Sequence, residues 1–278
     1  MKQKVLNRHS RGGFESWKSY RLKIAAATAP FLKGEGLVIG PGNGNDLDYL
    51  QLEAHLETLT LLDIDQEAVD WGLKRQGASS HRVIGMNLLG FDEEKILGLL
   101  AGANQESAMI EGIGSARATL PGKIGDFDTI LLAPVLTQLF LPQAMYVLRE
   151  RGIAPEGDLL RALLDKTAEV MQGLKAFVDG QLKPGGFLVL WNDLLAFSPS
   201  DSLVKDFSQA GAREYLEKYT QAHGMSPATY GHGLLEGLGR VVSERYLLWP
   251  FSDTTTYLVK FSVVEKKSNN SWKNSICP

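Results

Sequence analysis

Cysteine is almost missing from this chain of 278 residues, and its scarcity excludes two kinds of stabilisation. The one cysteine, Cys277, is the residue before the last. A single cysteine cannot close an internal disulfide or build a multi-cysteine zinc site. We therefore predict no metal site and expect an ordinary hydrophobic core to stabilise the fold.

Long apolar runs are missing as well. No run approaches the roughly 20 apolar residues that a bilayer-spanning helix needs. Residues 1–9 contain no apolar core of the kind that signal peptides carry. No internal repeat is visible. These absences predict a cytoplasmic protein without a membrane partner.

The net charge is small, but the charges are unevenly distributed along the chain. The net charge is −3, with 44% apolar and 22% charged residues, which is typical of a globular protein. Residues 1–23 contain one acid, Glu15, and seven basic residues: Lys2, Lys4, Arg8, Arg11, Lys18, Arg21 and Lys23. This basic arm either attracts an anionic substrate, RNA or a peptide, or is a solvated terminal segment. The acidic remainder argues against a nucleic-acid substrate.

Glycine is concentrated where an apolar run ends. Residues 36–39 read as a buried strand, and Gly40, Gly42 and Gly44 alternate directly after it. Glycine permits a sharp turn and the close approach of a ligand to the backbone. We expect a helix to start behind the turn, capped by Asn45 or Asp46. The alternative is a strand-to-helix turn that needs glycine for geometry alone.

An acid follows the next apolar run, residues 59–62. In a doubly wound sheet, Asp63 at the tip of the second strand would lie beside the glycine turn and accept hydrogen bonds from ribose hydroxyls. Asp65 is expected to cap the following helix. Dinucleotide enzymes write the turn as G-x-G-x-x-G, and Asn45 stands where that pattern requires glycine or alanine.

The remaining patterns predict alternating strands and helices. We predict helices at 14–32, 93–100, 159–182 and 202–223, strands at 81–89, 127–134 and 187–193, and a closing antiparallel pair at 241–249 and 254–264. Residues 183–186, Lys-Pro-Gly-Gly, form a turn. Residues 101–125 are expected to be partly loop, 141–165 irregular, and 224–240 flexible.

Together the glycine turn, the acid, the Lys-Pro-Gly-Gly turn and the closing strand pair resemble a class I S-adenosylmethionine (SAM)-dependent methyltransferase. The resemblance spans residues 34–265 and implies an α/β, Rossmann-like seven-stranded sheet in the order 3-2-1-4-5-7-6, with β7 antiparallel and an N-terminal helical lid. It divides the chain into an arm and lid helix at 1–33, a SAM-binding domain at 34–265 and a flexible tail at 266–278.

The resemblance also implies SAM as cofactor and S-adenosylhomocysteine (SAH) as product. Carried over by position, the glycine turn holds the methionine part of SAM and Asp63 holds the ribose. Ile64 packs on the face of adenine, and Asn87 and Leu88 bind the edge of adenine. Ala133 lies near the sulfonium. The implied cofactor-binding residues are Gly40, Pro41, Gly42, Asn43, Gly44, Asp63, Ile64, Asn87, Leu88 and Ala133.

One position departs from the family. Methyltransferases usually carry an acid two residues before the first glycine of the turn, where it helps to hold the SAM amino group; here the residue is Val38. Weaker cofactor binding or help from the arm is the resulting hypothesis, with Arg11 or Arg21 pairing with the SAM carboxylate.

The acceptor side is less defined. Asp193, Tyr20 and His232 are candidate bases, although His232 in a glycine-rich loop and Asp193 at a strand end also fit solvated or capping roles. Trp17, Tyr20, Arg21, Gln138 and Tyr230 are candidate substrate contacts. We predict methyl transfer to a small molecule or peptide natural product. A SAM-binding protein without transfer activity and an RNA methyltransferase are the alternatives.

Overall fold

The computed structural model describes residues 7–117, 119–120 and 122–267. The start of the basic arm, with Lys2 and Lys4, and the predicted tail beyond Lys267, with Cys277, lie outside the described residues. The strands are β1 (Glu35–Ile39), β2 (Thr58–Asp63), β3 (Arg82–Gly85), β4 (Phe127–Leu132), β5 (Leu182–Phe197), β6 (Gly239–Ser252) and β7 (Thr255–Lys266).

Helices precede, separate and cover these strands. They are α1 (Gly13–Ser16), α2 (Lys18–Thr28), α3 (Tyr49–His55), α4 (Gln66–Gln76), α5 (Glu93–Gly102), α6 (Glu106–Ser115), α7 (Leu141–Glu150), α8 (Gly157–Gln181), α9 (Ser202–Lys205), α10 (Gln209–His223) and α11 (Pro227–Glu236). Single 3-10 turns occupy Ser10–Gly12 and Ala29–Phe31. No helix of the described part is long and apolar enough to cross a bilayer.

Within the described ranges the strands form one seven-stranded sheet in the order β3-β2-β1-β4-β5-β7-β6. Pairings from β3 to β5 are parallel, and β7 is antiparallel to both β5 and β6. The central strands β1, β2 and β4 are almost wholly buried because helices cover both faces of a parallel sheet. The predicted fold class, sheet order and antiparallel β7 are confirmed.

The sheet order places a crevice above β1. Its two neighbours, β2 and β4, are reached by connections that run in opposite directions, so β1 and β4 flank the topological switch point. Ligands of doubly wound sheets bind outside the carboxyl ends of the strands at this point. The ends of β1, β2, β4 and β5 all open on the same edge.

Several predicted boundaries were wrong, and two of the errors concern proline or glycine. Residues 141–150 are helical as α7, with Pro142 in the first turn, where a missing N–H costs nothing. The segment predicted as flexible contains α11, capped by the Ser226 side chain. Its Gly231 is needed because a Cβ there would crowd the sulfur of Met171.

Other corrections concern helix starts and breaks. The helix behind the glycine turn is capped by Asp48, whose side chain accepts from the N–H of Gln51, and Asn45 and Asp46 are not its cap. Asp65 caps α4 as predicted. The helix predicted at 14–32 breaks at Trp17, the one at 202–223 splits into α9 and α10, and α6 lies in the segment expected to be partly loop.

Candidate active site

The glycine turn and the acid of the second strand meet. The backbone N–H of Gly42 donates to Asp63 Oδ2 at 2.8 Å, and the N–H of Asp65 donates to Asp63 Oδ1 at 2.8 Å. Each carboxylate oxygen retains a further lone pair, so Asp63 can still accept from ligand hydroxyls. Burial raises the pKa of Asp63, and its backbone hydrogen bonds oppose that rise.

The glycines of the turn serve different purposes. All three have positive φ, at 73° for Gly40, 50° for Gly42 and 62° for Gly44. A Cβ on Gly40 would overlap Val135, and one on Gly44 would overlap the ring of Tyr49. A Cβ on Gly42 would make only ordinary contact, with the Asn7 side chain at 3.4 Å. Of these three glycines, Gly42 alone has room for a Cβ without overlap.

A cavity of about 450 Å³ opens over this turn. Of the predicted cofactor residues, eight line it and two do not. Those that line it are Gly40, Pro41, Gly42, Asn43, Asp63, Ile64, Asn87 and Leu88. Gly44 is turned against Tyr49, and Ala133 is buried below the cavity, which Pro134 and Val135 line instead.

The lining residues near the turn suit a nucleoside. Ile64 is 42% exposed although it follows a buried strand, so it offers an apolar surface to a planar ring. The amide of Asn87 is engaged locally: it donates to Phe91 O at 3.0 Å and accepts from the N–H of Leu89 at 2.9 Å. The side-chain oxygens of Asn43 and Asn45 are buried and have no partner within the described residues. These residues fit SAM.

The N-terminal arm covers this side of the cavity. The Asn43 amide donates to Ser10 Oγ at 3.0 Å, the Asn45 amide donates to Ser10 O at 2.7 Å, and the Asn7 amide donates to Asp65 Oδ2 at 3.0 Å. Asn7, Ser10 and Trp17 all line the cavity. The predicted lid therefore lies over the glycine turn, and its contacts come from residues that precede α1 as well as from Trp17.

The predicted role of arginine in cofactor binding finds no geometric support. The Arg21 guanidinium is buried, where it donates to Phe14 O at 2.7 Å and to Asn45 O at 2.9 Å. Arg11 lies 3.4 Å from Glu67 and stacks over Trp71. Neither arginine lines the cavity. Arg21 instead braces the turn to the arm.

A second group of lining residues lies beyond β4, at the ends of β5, β6 and β7. Asp193 accepts from the Thr137 hydroxyl at 3.0 Å. Burial raises its pKa to about 6, and the charge of Asp46 adds to the rise. Gln138 also lines the cavity, with its amide donating to Pro134 O at 3.1 Å.

Aromatic rings complete this second group. Trp249 packs edge-on against Trp17 with ring centroids 4.7 Å apart, and edge-on against Phe251 at 5.2 Å. Tyr257 lies 5.3 Å from Phe251. All four rings line the cavity. The indole N–H of Trp249 is buried and has no partner in the described part of the chain.

The other candidate residues lie apart from the cavity wall. Tyr20 is stacked beneath Trp249 at 5.0 Å, and burial raises its pKa well above the ordinary value, so its phenol stays protonated. Tyr230 accepts a hydrogen bond from Gln172 at 3.2 Å, away from the cavity.

His232 is not in a glycine-rich loop. It is buried on α11, 2.9 Å from the Ser262 hydroxyl, and burial lowers its pKa. Its other ring nitrogen lies 3.3 Å from the Asn192 amide. Enclosed in the core and absent from the cavity lining, it has no access to a substrate there.

Sequence reasoning missed Asp46 and most of the aromatic wall. Asp46 lines the cavity, accepts from the indole N–H of Trp191 at 3.1 Å, and has its pKa raised by burial. Asp46 could have been found from sequence because Asp48 is a better-placed helix cap, which leaves Asp46 free for another role. The aromatic wall could have been found from the several aromatic residues around the predicted hairpin turn.

No family model matches the chain, and no curated protein matches it. Its fold is similar to the N-methyltransferase NodS from Bradyrhizobium japonicum WM9, at 17% identity over 91% of this chain and 97% of that one, with a TM-score of 0.41. The SAH complex of NodS gives 18% identity over 90% and 87% of the two chains, with a TM-score of 0.40.

A SAM-dependent methyltransferase from Methanosarcina mazei is similar at 12% identity over 86% of this chain and 95% of that one, with a TM-score of 0.44. The sheet order β3-β2-β1-β4-β5-β7-β6, with β7 antiparallel, is observed in this chain itself and is that of the Rossmann-like class I methyltransferase fold.

Proposed function

We propose that the protein is a SAM-dependent methyltransferase that acts on a small molecule or a peptide natural product. The observation that carries the proposal is the hydrogen bond from the Gly42 N–H to Asp63, which joins the turn after β1 to the acid after β2. It leaves carboxylate lone pairs, Gly42 and the exposed Ile64 around one cavity.

Each lining residue then has a part in holding SAM. Asp63 accepts from the ribose hydroxyls, Ile64 packs on adenine, and the turn faces the methionine part. Position 38, where the family carries an acid that holds the SAM amino group, is here the fully buried Val38. Asp46 lines the cavity and holds that amino group instead. Bound SAM supplies an activated methyl group, so the chain needs to align the acceptor and remove a proton where one is lost.

The cavity also bears on the acceptor. At about 450 Å³ it has room for a cofactor and a small acceptor or one residue of a peptide. Arg8 and Arg11 of the arm both contact Glu67, and Arg21 is bound to backbone carbonyls, so these charges are engaged within the chain. That arrangement favours a small acceptor over RNA.

Calorimetry tests the cofactor. We expect SAH to bind and NAD to show no binding, and Asp63→Asn to weaken SAH by about tenfold because one charge-assisted acceptor is lost. Asp70→Asn, which removes an exposed carboxylate from α4, is the matched control and should leave SAH affinity unchanged. Binding of NAD in place of SAH would refute the proposal.

Transfer of a labelled methyl group from SAM to small molecules and peptides of a cell extract tests the reaction. Labelled product is expected from the wild type. SAH binding without any labelled product would instead support a SAM-binding protein that lacks transfer activity.

A further inference from the structure

The part of the cavity beyond β4, which we term the acceptor half, is formed by Asp193, Thr137 and the rings of Trp17, Trp249, Phe251 and Tyr257. We propose that it binds the ammonium form of an amine, and that this amine is the methyl acceptor. The inference rests on the proposed function and names the chemical class of its substrate.

The first support is charge. Asp46, Asp63, Glu93 and Asp193 line the cavity, and no lysine, arginine or histidine of the described residues does. The contact of Asp193 is the neutral hydroxyl of Thr137, and its charged neighbour Asp46 has the same sign. A carboxylate removed from water is costly unless a cation accompanies it. A cationic ligand would supply that missing charge.

The second support is the aromatic wall. Ring faces attract ammonium groups through their quadrupole, most strongly where water is excluded. Elsewhere the chain places its own cations on half-buried rings: Arg21 and Arg75 lie over Phe14, and Lys33 lies over Phe187. Among the described residues no such cation lies over the four rings of the acceptor half. Trp17 and Trp249 are largely covered by neighbouring rings, whereas Phe251 is 40% exposed and Tyr257 is half-buried, so these two rings offer surface to a ligand.

The third support is an unpartnered donor. The indole N–H of Trp249 is buried on this wall without a hydrogen-bond acceptor in the described structure. Leaving a buried donor without a partner is costly, because the group has lost its hydrogen bonds to water and gained none in return. An oxygen on the amine skeleton would satisfy it, so the preferred ligand carries a positive nitrogen and a nearby hydroxyl or carbonyl.

These features oppose acceptors that react as anions. A phenolate or carboxylate would enter a cavity whose described lining carries four acids and no cationic side chain. An amine binds in this cavity as the ammonium cation and reacts as the neutral base. The ammonium transfers one proton to Asp193, which releases it to water. The nitrogen lone pair then forms the bond to the methyl carbon, and the electron pair of the broken carbon–sulfur bond stays on sulfur.

The test compares two probes that differ only in charge: choline and its carbon isostere 3,3-dimethylbutan-1-ol. Each is titrated by calorimetry into the whole chain saturated with SAH. We expect choline to bind at least about tenfold more tightly than the isostere. We expect Asp193→Asn to reduce choline affinity by at least about tenfold while leaving the isostere and SAH unchanged, because asparagine can still accept from Thr137.

Asp165→Asn, an exposed site on α8, removes the same charge far from the cavity wall and should change neither probe. Equal affinity for the two probes, or no detectable binding of choline, overturns the amine proposal while SAH binding still stands. Failure of the wild type to bind SAH instead refutes the proposed function. Unchanged SAH affinity in Asp193→Asn shows that this variant is folded.

Discussion

The two halves of the cavity are built in different ways. In the half over β1, β2 and β3, which we term the nucleoside half, side chains are tied to the backbone: the N–H groups of Gly42 and Asp65 donate to Asp63, and the Asn45 amide donates to Ser10 O. The acceptor half is made of side chains. There Asp193 has a raised pKa and Trp249 has an unused N–H.

The difference indicates what each half has to recognise. Hydrogen bonds between the turn, the acid and the arm fix the groups of the nucleoside half in place, which suits an invariant cofactor. Side chains that remain charged or unpartnered after folding lower the stability of the free protein, and a ligand can recover that loss. Substitutions should therefore separate the halves: stability should depend on the first, and substrate choice on the second.

The largest effect on stability is expected where the nucleoside half is most tightly packed. Gly40→Ala places a Cβ into Val135 at a φ of 73°, so overpacking adds to the cost of the left-handed conformation. We expect a loss of roughly 2–5 kcal/mol in the free energy of unfolding. Denaturant unfolding measures it.

Gly152→Ala is the matched control, since Gly152 has a φ of 69° and no atom lies within 4 Å of the added Cβ. It should cost only the backbone part, roughly 1–2 kcal/mol. Equal losses for the two variants would show that the contact with Val135 does not constrain the turn.

The next effect is on the acceptor half and has the opposite sign. Burial raises the pKa of Asp193 from 3.8 to about 6, so the folded chain holds this proton more tightly than the unfolded chain. Stability contributed by this group therefore falls as pH rises from about 4 to 6, and the loss is complete above that range. Asp193→Asn should stabilise the protein at pH 7.5 by up to roughly 3 kcal/mol and at pH 3.5 by almost nothing.

Unfolding curves of the wild type and of Asp193→Asn at the two pH values measure this difference. The control Asp165→Asn removes the same charge from an exposed position and should change the free energy of unfolding little. A variant that is less stable than the wild type at pH 7.5 would mean that the carboxylate stabilises the fold and is not held ready for a ligand.

A smaller effect should assign Asp46 to the cofactor. Asp46→Asn keeps an oxygen that can accept from Trp191 but removes the charge proposed to hold the SAM amino group. We expect SAH affinity to fall about 10- to 100-fold, the range of one charge-assisted hydrogen bond. Asp193→Asn should leave SAH affinity unchanged. Calorimetry measures SAH affinity for both variants. Equal losses of SAH affinity would contradict the division of the cavity into a nucleoside half and an acceptor half.

The nucleoside half was predictable from sequence because it depends on local patterns. Alternating glycines after an apolar run, and an acid after the next run, were enough to place Gly42 and Asp63 together. The Asp65 cap followed from its position before an amphipathic segment. Periodicity and turn chemistry act over a few residues, so one sequence reveals them.

The acceptor half was predictable only in part: Asp193 and Trp17 were candidates from sequence, but the other members could not be named because they meet only after folding. Trp17 and Trp249 are far apart in sequence, yet their rings lie 4.7 Å apart. His232 was misread because Gly231 and Gly233 suggested a loop, whereas packing against Met171 favours glycine inside α11. Tertiary packing overrode local propensity there, and no single-sequence pattern reports it.

The smallest effect concerns the arm, whose salt bridges look prominent but lie at the surface. Arg8 and Arg11 each approach Glu67 at 3.4 Å, and the side chain of Glu67 is 64% exposed. Such pairs contribute at most about 1 kcal/mol because water and salt screen them. The double variant Arg8→Ala, Arg11→Ala should therefore change SAH affinity by less than about threefold, as measured by calorimetry. A loss of tenfold or more in SAH affinity would mean that these arginines contact the cofactor. The arm would then bind the amino-acid part of SAM, and Asp46 would not have the role proposed for it.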